Sequence, residues 1–374
     1  ELLLEHGLTL ARDQEFLAEE TLQLFLRQYP RHARAGEARL AMAELEFRAL
    51  QASANPARRQ EAAQHALQYL QVANTEAKTP DTAAHADYLG MFLADKDGGG
   101  NDREVIRRGE EFLRTHKQSP LIPEVRMKLG EVYFRVEDFA NAETQFGTLA
   151  EEDPASPYAE KALFLAGQSA MRLGMNENAL DRALGYFDRV VKRDGPLKLY
   201  ARQEQAIAQS RVGRANEAIA LYDIILSSEP GPDPELRFAS LCGKADNLVA
   251  LGRTEKTHLE EAIEVFDQLA GSPNVTPVWR NQALYKKGKT LVQLGRTTDA
   301  LAAYYDVLQK SSASEREHFW ASKAGFDAAS ILEQQSQWKA AIGIYSKVVA
   351  LGGPRAPEAE ARVKQIRLEH FVWD

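Results

Sequence analysis

Apolar residues recur along the chain at the three- and four-residue spacing of amphipathic helices, and these helices come in pairs. The clearest pair lies between Pro120 and Pro154, with Val136 to Phe139 as the turn between its two helices. The apolar positions are Leu129, Gly130 and Tyr133 on the first helix, then Ala142, Phe146 and Leu149 on the second. A pair of short helices cannot bury such a face alone, so the pattern predicts stacking on similar pairs.

The same pattern returns throughout the chain at intervals of 37 to 43 residues. The intervals are read between small residues of each first helix, which are Gly130, Gly167, Ala206, Ala245, Gly288 and Ala329. We predict an all-α, right-handed α-solenoid of about eight helix-turn-helix repeats and a C-terminal capping helix, forming one superhelix over residues 1–374. Its predicted segments are N-terminal helices at 1–30, two divergent repeats at 31–117, six clearer repeats at 118–352, and the cap and tail at 353–374.

Glycine and alanine at these positions let two helix backbones approach closely, and an aromatic residue such as Phe146 fills the space beneath them. This small-residue and aromatic spacing resembles the tetratricopeptide repeat (TPR). The resemblance implies a non-enzymatic fold that binds protein segments along its first helices, which line a concave groove. HEAT-like repeats are the structural alternative, because they have about this length. The TPR spacing inside the helices favours the first assignment.

The junction FLRQYPRHARAGEARLAMAE resembles junctions in TPR proteins of the bacterial cell envelope, of the outer-membrane assembly lipoprotein and Tol–Pal-associated types. The resemblance implies a periplasmic or outer-membrane-associated protein rather than a cytoplasmic one. The chain begins with Glu1 and lacks a basic leader, so we expect a mature form or a fragment of a longer protein. A glycine-rich turn at 98–100 is expected to be the most flexible point.

Composition narrows the function further. The 374 residues carry a formal charge of −8, which argues against nucleic acid as the partner. No apolar run approaches the roughly 20 residues that a membrane-spanning helix needs. Cys242 is the only cysteine, so neither an internal disulfide nor a cysteine-rich metal site is expected, and we interpret it as a buried structural residue.

Sequence segments that resemble catalytic or cofactor-binding motifs lack neighbouring residues or elements that those motifs require. The GKT at Gly288 to Thr290 lacks the preceding strand and first glycine of a phosphate-binding loop. Asp95, Asp97 and Asp102 resemble a calcium loop, but Ile106 stands where its glutamate belongs. The eight histidines form no helical metal-binding pair. We therefore predict no catalytic residue, no cofactor and no metal.

Basic residues in the first helices are the candidate partner-binding residues. Arg135, Arg172 and Arg211 each follow a small packing residue by five positions and would grip carboxylate groups of a partner. The alternative is that these arginines only stabilise helix C-termini. The candidates for a second basic patch are Lys286, Lys289 and Lys323, and those for apolar contacts in the groove include Tyr285 and Phe326.

The sequence thus predicts a scaffold that binds a protein or peptide segment in its groove, and not an enzyme. Two alternatives stay open. One is a structural or homo-oligomerising subunit of a larger complex, and the other is a helical accessory domain of a longer enzyme.

Overall fold

The chain is entirely α-helical over the residues described by the computed structural model, which contain nineteen helices and no β-strand. The described residues are 1–76, 79–95, 100–174, 177–311 and 315–372. Helical hairpins that repeat along the chain form an all-α repeat solenoid, which confirms the predicted fold class. The chain divides into two compact units, Glu1–Val190 and Val191–Asp374.

The first unit contains nine helices and most of a tenth. They are α1 Leu2–Leu10, α2 Glu15–Gln28, α3 Ala35–Ala52, α4 Pro56–Glu76, α5 Pro80–Ala94, α6 Asp102–Thr115, α7 Ile122–Arg135, α8 Phe139–Glu152, α9 Ala159–Leu173 and α10 Glu177–Arg193. The helices of the second unit are α11 Lys198–Arg211, α12 Ala215–Leu226, α13 Pro234–Leu251, α14 Thr257–Ala270, α15 Pro277–Gln293, α16 Thr297–Lys310, α17 Glu315–Gln334, α18 Trp338–Leu351 and α19 Ala356–His370.

Odd-numbered helices from α1 to α17 open the hairpins, and we call them A helices; the even-numbered helices are B helices. Within each unit, A helices also contact the next A helix, as between α3 and α5 and between α15 and α17. Side chains on this A-helix face are therefore brought together from hairpins about 40 residues apart in sequence.

Close packing inside each hairpin depends on a small residue in the A helix. A Cβ atom added to Gly130 of α7 would lie 2.5 Å from the ring of Phe146 in α8. A Cβ added to Gly288 of α15 would lie 2.4 Å from the ring of Tyr304 in α16. Both rings are fully buried, so only glycine fits opposite them. This is the close approach that the sequence spacing predicted.

The A-to-B turns share one backbone conformation in four hairpins. The second residue after each A helix has a positive φ: 62° at Glu137, 78° at Gly213, 78° at Gly295 and 57° at Ser336. Glycine adopts this left-handed conformation without steric cost. The first of these turns joins α7 to α8, as predicted for Val136 to Phe139.

Helix α19 packs on the last hairpin and is the predicted cap. Its Ile366 is fully buried, and Arg362 forms an ion pair with Glu333 of α17. The ring of His370 stacks on Trp338 of α18, with centroids 3.6 Å apart. These contacts cover the apolar surface that the α17–α18 hairpin would otherwise expose.

Parts of three sequence-based predictions lie outside the described residues. They are Asp97 of the calcium-like segment, Gly98 and Gly99 of the glycine-rich turn, and Trp373 of the tail. Phe371, next to that tail, is 77% exposed.

Candidate functional site

Polar and aromatic side chains connect successive A helices along the A-helix face. In the second unit, the Tyr200 hydroxyl donates to Asp233 at 2.7 Å, and the Tyr285 hydroxyl donates to Asp327 at 2.9 Å. The first bond joins α11 to the residue that caps α13, and the second joins α15 to α17. Many polar groups on this face are therefore engaged within the chain, and those that are not become the candidates for partner binding.

Arg135 lies in an ion-pair network of the first unit. Its guanidinium contacts the carboxylate of Asp95 at 2.6 Å and also pairs with Asp102. Lys128 pairs with the same Asp95, whose side chain is only 5% exposed. Arg135 therefore ties α7 to the end of α5 and the start of α6, and it would reach a partner only by sharing these carboxylates.

The other two predicted arginines are more open. Arg172 is exposed at the end of α9, with its guanidinium carbon 5.9 Å from the ring centroid of Phe139. Arg211 is exposed at the end of α11 in the second unit. The roles of Arg135, Arg172 and Arg211 in partner binding stay predictions.

Lys286 is engaged by a cluster between α13 and α15. Its Nζ lies 2.5 Å from an Asp246 carboxylate oxygen and 3.2 Å from the sulfur of Cys242, which is 4% exposed. Burial raises the pKa of the Cys242 thiol, and the charge of Asp246 adds to this effect. Burial acts to lower the pKa of Lys286, but Cys242 and Asp246 outweigh it, and the net direction is upward. Lys286 thus remains charged and paired.

Lys323 lies in a different environment, among three aromatic rings. Its Nζ is 4.5 Å from the ring centroid of Phe319, 5.5 Å from that of Trp320 and 5.8 Å from that of Tyr285. Within the described part of the chain, Lys323 has no carboxylate partner. We call Tyr285, Phe319, Trp320 and Lys323 the lysine–aromatic patch.

The patch combines an unpaired ammonium group with apolar ring surface. Phe319 is 56% exposed, and its ring meets that of Trp320 edge to face at 4.7 Å. Lys289 is exposed one turn beyond Tyr285 on α15 and adds a second positive charge. A carboxylate that neighbours an apolar side chain matches this arrangement.

A pocket on the A-helix face of the first unit is lined by tyrosines and a glutamate. It is a cavity of about 270 Å³, formed by α5, α7 and the start of α9. We call it the tyrosine pocket, and its lining residues are Tyr88, Phe92, Glu124, Met127, Lys128, Glu131, Tyr158 and Lys161.

Glu124 lies close to two tyrosines in this pocket. The Tyr88 hydroxyl donates to its carboxylate at 2.5 Å, and the charge of Glu124 also acts on Tyr158. Burial and then Glu124 raise the pKa of both tyrosines, so both hydroxyls stay protonated donors at neutral pH.

Two larger cavities lie at loops between hairpins. One of about 520 Å³ contains Tyr200 and Asp233, and one of about 450 Å³ contains Arg114 and His116. The Tyr200 hydroxyl already bonds Asp233, and His116 Nε2 lies 2.8 Å from a carboxylate oxygen of Asp87. These four polar side chains therefore already have partners within the chain.

Sequence reasoning identified Tyr285 and Lys323 separately but missed Phe319, Trp320 and the tyrosine pocket. Phe319 and Trp320 precede Lys323 by four and three residues, a helical spacing that signals a shared face. Tyr88 and Glu124 lie on different A helices, so only an exact repeat register would have paired them.

The described residues contain no group of three or more histidine, cysteine, aspartate or glutamate residues able to hold a metal ion. No helix there is long and apolar enough to cross a bilayer.

Comparison with known families identifies the repeat. A tetratricopeptide repeat family model matches residues 282–314, which contain most of α15 and all of α16. This is the predicted repeat whose small first-helix residue is Gly288, and Tyr304 is the aromatic residue that packs against it. The match covers a single hairpin, and the described hairpins together form a TPR-like solenoid.

Solved structures resemble the chain at low sequence identity. The apo form of RapI is 12% identical, with a TM-score of 0.52 over 98% of this chain and 99% of that one. A tetratricopeptide repeat protein from Parabacteroides merdae is 12% identical, with a TM-score of 0.47 over 76% of this chain and 98% of that one. Yeast Tom70 is 16% identical, with a TM-score of 0.44 over 86% and 59%, respectively. A comparison with curated protein sequences finds no match.

Proposed function

We propose that the protein is a non-enzymatic scaffold that binds segments of partner proteins on its A-helix face. The observation that carries this proposal is the lysine–aromatic patch, where the half-buried Lys323 ammonium group contacts rings and has no carboxylate partner among the described residues. Burying a charge without a partner is unfavourable, so such an ammonium beside the exposed ring of Phe319 is suited to an incoming carboxylate. Lys289 extends the same positive surface.

The favoured ligand at this patch is an acidic peptide segment with an adjacent apolar side chain. The carboxylate would accept hydrogen bonds from Lys323, and the apolar side chain would cover the exposed ring of Phe319. Lys286 would contribute less, because Asp246 already neutralises it. Arg172 and Arg211 remain candidates for further acidic contacts.

An array of peptides of equal length, graded from acidic to basic, tests this function. Acidic peptides should bind the wild-type chain, and Lys323→Glu should weaken that binding at least about tenfold, or about 1.4 kcal/mol. Lys339→Glu is the matched control, because Lys339 is an exposed lysine on the B helix α18. Equal binding of acidic peptides by the two variants would contradict the proposal.

A structural or homo-oligomerising subunit is the second candidate. Exposed apolar side chains on α1 and α2 favour it: Leu2 is 89% exposed and Phe16 is 71% exposed. Light scattering across a range of concentrations separates the two functions. A mass that stays monomeric supports the scaffold, and a mass that rises with concentration supports the subunit. The cell-envelope location and the role as an accessory domain of a longer enzyme stay predictions.

A further inference from the structure

The tyrosine pocket contains a carboxylate that has no cationic partner. Among the described residues, no lysine, arginine or histidine forms an ion pair with Glu124. The Tyr88 hydroxyl, which is neutral, donates a hydrogen bond to this carboxylate. An ionised carboxylate has about four lone-pair sites, so this bond leaves acceptor capacity for another donor.

The two lysines in the pocket wall are already neutralised. Lys128 pairs with the nearly buried Asp95, and Lys161 Nζ lies 2.9 Å from a carboxylate oxygen of Glu131. Glu124 therefore sets the sign of the charge that the pocket presents to a ligand. Glu44 of α3 adds negative charge behind Tyr88.

The pocket walls suit a flat cation. Tyr88 and Phe92 have ring centroids 4.6 Å apart, and Tyr158 also lines the cavity. A guanidinium group is planar, stacks on aromatic faces and donates to a carboxylate through two parallel bonds. An ammonium group has neither the planar surface nor the paired donors.

The charge of the whole first unit is complementary to such a ligand. Residues 1–190 contain 31 aspartates and glutamates against 22 lysines and arginines, whereas residues 191–374 contain 23 against 24. The acidic surplus of the chain thus resides in the unit that holds the tyrosine pocket. A negative field of this kind attracts basic segments and repels the acidic segments that suit the lysine–aromatic patch.

We propose that the tyrosine pocket binds the guanidinium group of an arginine in a partner protein, with Glu124 as its counter-ion. This inference rests on the proposed scaffold function and gives the first unit a ligand preference opposite to that of the lysine–aromatic patch. The guanidinium lies against the ring of Tyr88 and donates to the free acceptor sites of Glu124; the ring of Phe92 already has Lys128 Nζ 5.4 Å from its centroid.

Two peptides that differ at a single side chain test the proposal. Each is acetylated and amidated and has an otherwise neutral sequence of serine and leucine; one contains arginine and the other contains citrulline. Citrulline keeps the planar shape but has no charge. Fluorescence anisotropy on the wild-type chain should show binding of the arginine peptide about tenfold tighter, the size expected for one charge-assisted hydrogen bond.

Glu124→Gln removes the charge and keeps an oxygen that accepts the Tyr88 hydroxyl. It should abolish the preference for arginine over citrulline and leave the thermal unfolding midpoint unchanged. Glu20→Gln is the matched control, because it removes one negative charge from an exposed position on α2, away from the pocket. This control should retain the preference.

Two results overturn the inference: equal binding of the two peptides by the wild-type chain, or an unchanged arginine preference in Glu124→Gln. The first comparison needs no variant, so it decides the matter even if Glu124→Gln does not fold. If acidic peptides still bind through Lys323 in either case, only the arginine site is wrong. If neither acidic nor arginine peptides bind, the scaffold function fails with it.

Discussion

Replacing Gly288 with alanine tests how closely the helices of a hairpin must approach. Gly288 lies on α15 opposite Tyr304 of α16, and a Cβ there would lie 2.4 Å, 2.8 Å and 2.9 Å from three carbons of the tyrosine ring. The ring is 1% exposed and packs against Tyr285 with centroids 5.9 Å apart. It has little freedom to move aside, so the two helices must separate or the ring must leave its rotamer.

The magnitude is set by two opposing terms. Alanine gains up to about 1 kcal/mol over glycine in a helix interior. Overpacking a well-packed core costs about 1–3 kcal/mol. We therefore expect Gly288→Ala to lower the free energy of unfolding by up to about 2 kcal/mol. Gly343 on α18 has no atom within 4 Å of its added Cβ, so Gly343→Ala should raise the free energy by up to about 1 kcal/mol.

Urea denaturation followed by circular dichroism measures both variants against the wild-type chain. The difference between them should be about 1–3 kcal/mol, since the propensity gain is shared and the clash is not. In a Tyr304→Leu background, the cost of Gly288→Ala should shrink, because the clashing ring is gone. Equal stabilisation by the two alanine variants would refute the packing argument.

Other predictions concern charges and the thiol. Arg135→Ala should lower the free energy of unfolding by about 1–2 kcal/mol, because it removes one partner of the nearly buried Asp95. Arg211→Ala, at an exposed site, should change the free energy of unfolding by less than about 0.5 kcal/mol. Urea denaturation measures both variants. Burial acts to raise the pKa of Glu333, but hydrogen bonds from Arg362 and Tyr345 and the charge of Arg362 outweigh it, and the net direction is downward. The ionised Glu333 therefore stabilises the fold above the ordinary glutamate pKa, and this stabilisation is lost as the pH falls through the lowered pKa of the folded state. Arg362→Met should consequently flatten the acid side of a plot of unfolding free energy against pH. Cys242 should react with a disulfide reagent at neutral pH only on unfolding, since burial shields the thiol and raises its pKa; rapid reaction of the native chain would contradict this.

The repeat fold was predictable because its packing rule is local. Gly130 faces Phe146 within one hairpin, only 16 residues apart, and the same relation recurs at Gly288 and Tyr304. Short-range spacing of this kind appears directly in the sequence. The capping helix was predictable from a different local signal, the proline at the start of one further helical segment after the last repeat.

The binding surfaces were only partly predictable because they depend on contacts between hairpins. Lys286 and Lys323 look alike in sequence, yet one meets Asp246 from the preceding A helix and the other meets three rings. The sequence suggests that Arg135 is available to a partner, but it forms an ion pair with Asp95, which lies 40 residues earlier in the chain. Partners at such separations depend on the exact register of neighbouring repeats, which varies in this chain with the length of its turns.

Hydrogen–deuterium exchange on the chain bound to an acidic peptide tests the central claim most directly. If partners bind the A-helix face, amides of α15 and α17 around the lysine–aromatic patch should become protected, and amides of the B helices α16 and α18 should change little. Protection confined to the B helices, or no change at α15 and α17 with peptide bound, would contradict the account.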